Sequence, residues 1–112
     1  MKALNQYLIT ALWSSTDDNS EPLDSNYSIE DIDQDTINQA ETDLSVFLKL
    51  SDKLTQGHKV SQVAHDFWLT RNGHGAGFWD GDYEHGEELT ELCKKFKPVD
   101  LYIGDDGEIY SI

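Results

Sequence analysis

Between residues 37 and 54 the apolar side chains recur at every third or fourth position, which is the period of one face of an α-helix. The positions are Ile37, Ala40, Leu44, Phe47, Leu48 and Leu54. The helix can be capped by Ser28 together with Asp31, or by Asp33 itself. Gln56-Gly57 is its predicted end. The pattern predicts a long amphipathic helix whose apolar face packs against the rest of the chain.

Three further segments have helical spacing. They are residues 1–13, residues 60–68 with an end near Asn72-Gly73, and residues 87–97, in which glutamates come first and lysines last. Pro98 stops the last helix.

The end of the chain has strand signals. The segments VDLYI and EIYSI flank the turn residues 104–107, and residues 75–79 (GAGFW) have the pattern of a short strand. The predicted fold is α+β, with about four helices packed on a small antiparallel sheet of one short strand plus a C-terminal hairpin. Residues 1–112 are expected to form a single domain, with residues 14–28 as a candidate mobile acidic loop.

The charge is strongly one-sided, with 22 acidic against 8 basic residues and a formal net charge of −14. Direct nucleic-acid binding and attraction to anionic membranes are therefore disfavoured, whereas a basic protein partner is favoured. From Asp17 to Asp43 there are ten carboxylates and no basic residue. The predicted partner-binding residues are Asp17, Asp18, Glu21, Asp24, Glu30, Asp31, Asp35 and Asp43. The alternative is that the acidity only keeps the protein in solution, and the helix dipole alone accounts for residues 30–35.

Residues 65–82 (HDFWLTRNGHGAGFWDGD) concentrate aromatic, histidine and glycine residues around Arg71, the single arginine of the chain. One interpretation is structural, because a guanidinium can clamp a carboxylate or cap backbone carbonyls. The other is a small binding pocket. Its candidate residues are His65, Arg71, Asn72, His74 and Trp79.

Metal and nucleophile patterns are weak. Asp80, Asp82, Glu84 and Glu91 partly match a calcium-binding loop, but the turn glycine comes one position late. The histidines at 65, 74 and 85 lack the spacing of a zinc site. Cys93 shares an apolar stripe and is expected to be a buried, inert thiol. No metal, cofactor or catalytic residue is predicted. The sequence therefore favours a protein that is not an enzyme, but it leaves enzymatic activity open.

The segments ALWSSTDD, EPLDSNYSIEDI, HDFWLTRNGHGAGFWD and DLYIGDDGEIY together resemble a family of small, mostly uncharacterised bacteriophage and prophage proteins. The resemblance implies a phage origin and action inside a bacterial host. It carries no known reaction and assigns no residue a role.

These features predict a phage accessory protein that binds a basic, nucleic-acid-binding host protein, as a DNA mimic or an inhibitor of host defence. The alternatives are a small ligand-binding protein or enzyme centred on residues 65–82, and a virion-associated structural protein. With no signal-peptide pattern and no long apolar run, we expect the host cytoplasm and no membrane association. The sequence makes no prediction of the oligomeric state.

Overall fold

The computed structural model describes residues 2–73, 77–78 and 83–112. Within these residues the chain forms four α-helices and then one antiparallel hairpin, so the predicted α+β fold is confirmed. The elements are α1 (Lys2–Ser14), α2 (Gln34–Ser51), α3 (Val60–Arg71), α4 (Gly86–Cys93), β1 (Leu101–Ile103) and β2 (Ile109–Ser111). Short 3₁₀ turns lie at Leu23–Ser25, Ile29–Asp31 and Asp52–Leu54.

Both predicted capping groups are used, but on different elements: Ser28 and Asp31 cap a 3₁₀ turn, and Asp33 caps α2. The backbone N–H of Ser28 donates to the Asp31 carboxylate at 2.9 Å and closes the 3₁₀ turn Ile29–Asp31. The Asp33 carboxylate then accepts from the backbone N–H groups of Asp35 and Thr36, as a helix N-cap does. The chain is extended at Ile32, which is buried, so the turn and the helix are separate elements.

Two helices end earlier than predicted. Helix α2 stops at Ser51 and continues as the 3₁₀ turn Asp52–Leu54, while the Thr55 hydroxyl donates to the Ser51 carbonyl. Helix α4 stops at Cys93 instead of reaching Lys97. The next three backbone N–H groups bond three residues back, which tightens the last turn. The tightening lets the Phe96 ring pack edge-on against Phe67, with centroids 5.1 Å apart.

The strand predicted for residues 75–79 is wrong where the structure describes it. Gly77 and Phe78 form a bend and a turn; the other three positions lie outside the described residues. The Phe78 backbone N–H donates to the Thr70 hydroxyl at 3.1 Å, and its ring is buried against Phe47. Contact with α2 and α3, instead of a strand partner, holds this segment.

The core is built around stacked aromatic rings. Phe47 of α2 and Phe67 of α3 stack with centroids 4.2 Å apart, and Tyr7 of α1 meets Trp68 edge-on at 5.4 Å. Side chains from every helix and from β2 join the same buried cluster. Since α1, α2 and α3 each contribute an aromatic ring, their relative positions are fixed by packing.

The C-terminal hairpin is confirmed, with Tyr102 opposite Tyr110 and a turn that Gly107 closes at a φ of 83°. The backbone N–H of Asp33 donates to the Ile109 carbonyl at 2.8 Å, so the hairpin is joined to the start of α2. Across the described ranges, no helix has the length and apolar character to cross a bilayer.

Candidate functional site

Arg71 is buried, with its side chain 3% exposed. Its guanidinium donates to the Asp43 carboxylate and to the Tyr7 hydroxyl, both at 3.0 Å. It also donates twice to the Lys97 carbonyl, at 3.0 and 2.6 Å. Arg71 therefore both clamps a carboxylate and caps a carbonyl, which is the structural interpretation of this residue. Burial of the Tyr7 side chain beside Arg71 raises the pKa of Tyr7 to about 12, so its hydroxyl stays protonated.

The other pocket candidates that the structure describes are also held by structural contacts. His65 Nδ1 lies 2.8 Å from the Thr10 hydroxyl. The Asn72 amide donates to the Trp68 carbonyl at 2.9 Å and accepts from the Val99 backbone N–H at 2.7 Å. His74 and Trp79 lie outside the described residues.

A polar cleft of about 310 Å³ opens beside the end of α3. Its lining residues are Ser14, Ser15, Thr16, Trp68, Asn72, Pro98, Val99, Asp100 and Leu101. Of the candidate pocket residues that the structure describes, Asn72 lines this cleft, whereas His65 and Arg71 do not.

Asp43 is one of the predicted partner-binding residues, which we expected to point away from the core, but it points inward to Arg71. Its carboxylate is 20% exposed and forms an ion pair with Arg71 across α2 and α3. The helical spacing of α2 places it near the edge of the buried face, where a single buried cation can reach it. Because the Asp43 carboxylate neutralises Arg71, it is less available to bind a partner than the carboxylates that precede α2.

The remaining predicted acidic residues lie on an ordered segment, residues 17–35. Leu23 is 1% exposed and packs in the core, and its backbone N–H donates to the carbonyl of Ser15, just after α1, at 2.9 Å. Thr16 and Pro22 form a bridge, and Asp17 accepts from the backbone N–H groups of Asn19 and Glu21. The loop proposed as mobile thus has buried and hydrogen-bonded anchors.

The carboxylates of this segment differ in what they do. Asp17, Asp31 and Asp33 accept backbone hydrogen bonds and are partly buried. The exposed ones are Asp18, Glu21, Asp24, Glu30 and Asp35. We call the carboxylates of residues 17–35 the acidic face.

The hairpin lies against the start of α2 and carries further carboxylates, which sequence reasoning did not connect with the acidic segment. The hydrogen bond from Asp33 to Ile109 places Glu108 of the hairpin turn beside the start of α2. The Tyr110 hydroxyl donates to Asp106, which holds the pKa of that carboxyl below its ordinary value. The run Asp105-Asp106-Gly107-Glu108 was visible in the sequence, but nothing there indicated which element the turn would meet.

Cys93 is 2% exposed, and burial raises the pKa of its thiol to about 12. A thiol in this environment is a poor nucleophile. Within the described ranges, no three His, Cys, Asp or Glu side chains are grouped so as to hold a metal ion. Of the calcium-loop candidates, Glu84 and Glu91 are exposed, and Asp80 and Asp82 lie outside the residues that the structure describes.

Comparison of the chain with protein-family models, with curated proteins and with solved structures finds no match. The resemblance to phage proteins therefore stays a prediction.

Proposed function

We propose that this protein binds a basic, nucleic-acid-binding protein of a bacterial host through its acidic face and competes there with DNA. The observation that carries the proposal is a segment with eight carboxylates and no basic residue between Asp17 and Asp35, held in place by Leu23 and Ile32. Ordered charges lose less conformational entropy on binding than charges on a disordered tail.

The physical basis is a match of charge patterns. Duplex DNA carries about one negative charge per 1.7 Å of its axis, so proteins that bind it present a basic groove. A set of exposed carboxylates on an ordered segment can occupy such a groove and exclude the duplex. Long-range attraction between opposite potentials also speeds the encounter.

The test compares two variants that remove the same charge from different places. The acid-face variant changes exposed carboxylates and spares Asp17, Asp31 and Asp33, which cap the backbone. The control, called the rim variant, changes four exposed glutamates around α4. The acid-face variant carries Asp18→Asn, Glu21→Gln, Asp24→Asn and Asp35→Asn. The rim variant carries Glu84→Gln, Glu87→Gln, Glu88→Gln and Glu91→Gln.

Tagged protein is used to capture partners from a bacterial lysate, with and without excess duplex DNA. We expect a basic DNA-binding protein that duplex displaces, that the acid-face variant no longer captures, and that the rim variant still captures. Because both variants raise the net charge equally, a loss confined to the first locates the binding surface. Capture that survives the acid-face substitutions, or no partner that duplex displaces, would contradict the proposal.

A further inference from the structure

Helix α2 has apolar residues outside its buried face. Val46 is 46% exposed and Leu50 is 55% exposed, although both belong to a helix whose core face is already filled by Leu44 and Phe47. Leu54, four residues after Leu50, is half-buried in the following 3₁₀ turn. Residues four apart lie on the same side of a helix. Val46 and Leu50 therefore form a second apolar stripe on the C-terminal part of α2, outside the core stripe that the sequence analysis identified.

The stripe leads into an open groove of about 690 Å³ between the end of α2 and helix α4. Leu50 and Leu54 line it from one side and Leu92 from α4. The volume is in the range of clefts that hold small ligands, about 300 to 1,000 Å³. Leu50 thus presents apolar surface at a groove that polar side chains border.

The wall of the groove on the α4 side is acidic. Glutamates 84, 87, 88 and 91 line it, together with His85 and Lys95. Glu88 pairs with His85 at 3.2 Å and Glu91 with Lys94 at 2.8 Å, but all four side chains concerned remain 40–67% exposed. Exposed ion pairs of this kind contribute little to stability, so the glutamates remain available to bind an incoming cation.

We propose that this groove binds a basic amphipathic helix of a partner protein, with the apolar face of that helix on Leu50, Leu54 and Leu92 and its lysines or arginines beside the glutamates. Helices recognised in this way place apolar residues at positions i, i+3, i+4 and i+7 in the groove. A second copy of this chain is a poor occupant, because each copy has a net charge of −14 and would bring the same carboxylates to the contact.

The groove and the acidic face share no residue, because every residue that lines the groove lies outside residues 17–35. Asp35 and Leu50 are fifteen residues apart on α2, which corresponds to about 22 Å at 1.5 Å per residue. The groove therefore goes beyond the proposed function and does not depend on it.

The test uses a labelled peptide of leucine, lysine and alanine, about 18 residues long, with leucines at helical i, i+3, i+4, i+7 spacing. A second peptide has the same composition with the leucines distributed around the helix. We expect the patterned peptide to bind about tenfold more tightly than the scrambled one in fluorescence anisotropy at physiological salt. Equal affinity of the two peptides, or no binding of either, would overturn the proposal.

Protein variants locate the contact. Leu50→Gln is expected to lower the affinity for the patterned peptide about tenfold, because it removes the apolar contact. Ile9→Gln, at a residue with 46% exposure on α1, is the matched control and should leave the affinity unchanged. Circular dichroism verifies that both variants fold. An affinity that Leu50→Gln does not change would also overturn the proposal.

The rim and acid-face variants distinguish this proposal from the first. The rim variant should bind the patterned peptide about threefold or more weakly, and this binding should depend less on salt. The acid-face variant should leave the peptide affinity within about twofold, since none of its substituted residues lines the groove. If only the acid-face variant loses peptide binding, the peptide binds on the acidic face and not in the groove.

Discussion

At the scale of the single residue, Arg71 connects four parts of the chain that are far apart in sequence. Its partners are Tyr7 in α1, Asp43 in α2 and the Lys97 carbonyl after α4, and its own helix is α3. The guanidinium also lies over the Phe67 ring, 5.2 Å from the centroid. A planar group with five N–H donors can serve all these partners at once, which a lysine ammonium cannot.

We predict that Arg71→Lys lowers the free energy of unfolding by about 2 to 4 kcal/mol, because it leaves the Lys97 carbonyl or the Tyr7 hydroxyl without its donor. Urea denaturation followed by circular dichroism measures the change. Lys94→Gln is the control, since its ion pair with Glu91 is 67% and 65% exposed and should contribute less than about 1 kcal/mol. Equal stability of Arg71→Lys and the wild type would show that the contacts of Arg71 are not structural.

At the scale of the element, the start of α2 depends on one carboxylate. Asp33 accepts the N–H groups of Asp35 and Thr36, and its own N–H bonds to the Ile109 carbonyl. The first interaction is made by the side chain and the second by the backbone. A substitution at Asp33 therefore removes the cap and leaves the link to the hairpin.

Asp33→Ala is expected to destabilise the protein by about 1 kcal/mol, which is the usual effect of losing an N-cap. Thermal denaturation of the variant measures it. Glu41→Ala removes the same charge from an exposed position inside α2 and should have almost no effect. If the two variants have the same stability, the hydrogen bonds of Asp33 are not acting as a cap.

At the scale of the whole molecule, the net charge of −14 opposes the compact state. Salt should therefore stabilise the protein, because the screening length falls from about 30 Å at 0.01 M to about 3 Å at 1 M. We predict that the melting temperature rises over this range of sodium chloride. The acid-face variant should show a smaller rise, since it has four fewer negative charges. A melting temperature that is constant or falls with salt would contradict this expectation.

The sequence by itself determined the local structure. The apolar period of residues 37–54 predicted α2, and the residues around 104–107 predicted the hairpin, because helical periodicity and turn chemistry act over a few neighbouring positions. The two caps at Asp31 and Asp33 are local for the same reason. The functional class also came from a sequence quantity, the charge, and it remains a proposal.

Only the tertiary structure decided how those elements meet. No spacing rule relates Arg71 to Asp43, so the inward orientation of Asp43 was missed. The early end of α4 depends on where Phe96 packs, and Gly77-Phe78 is held by α2 and α3 instead of a strand partner. The groove beside Leu50 likewise exists because α4 lies next to α2. Such contacts join residues that are distant in sequence, and only long-range packing specifies them.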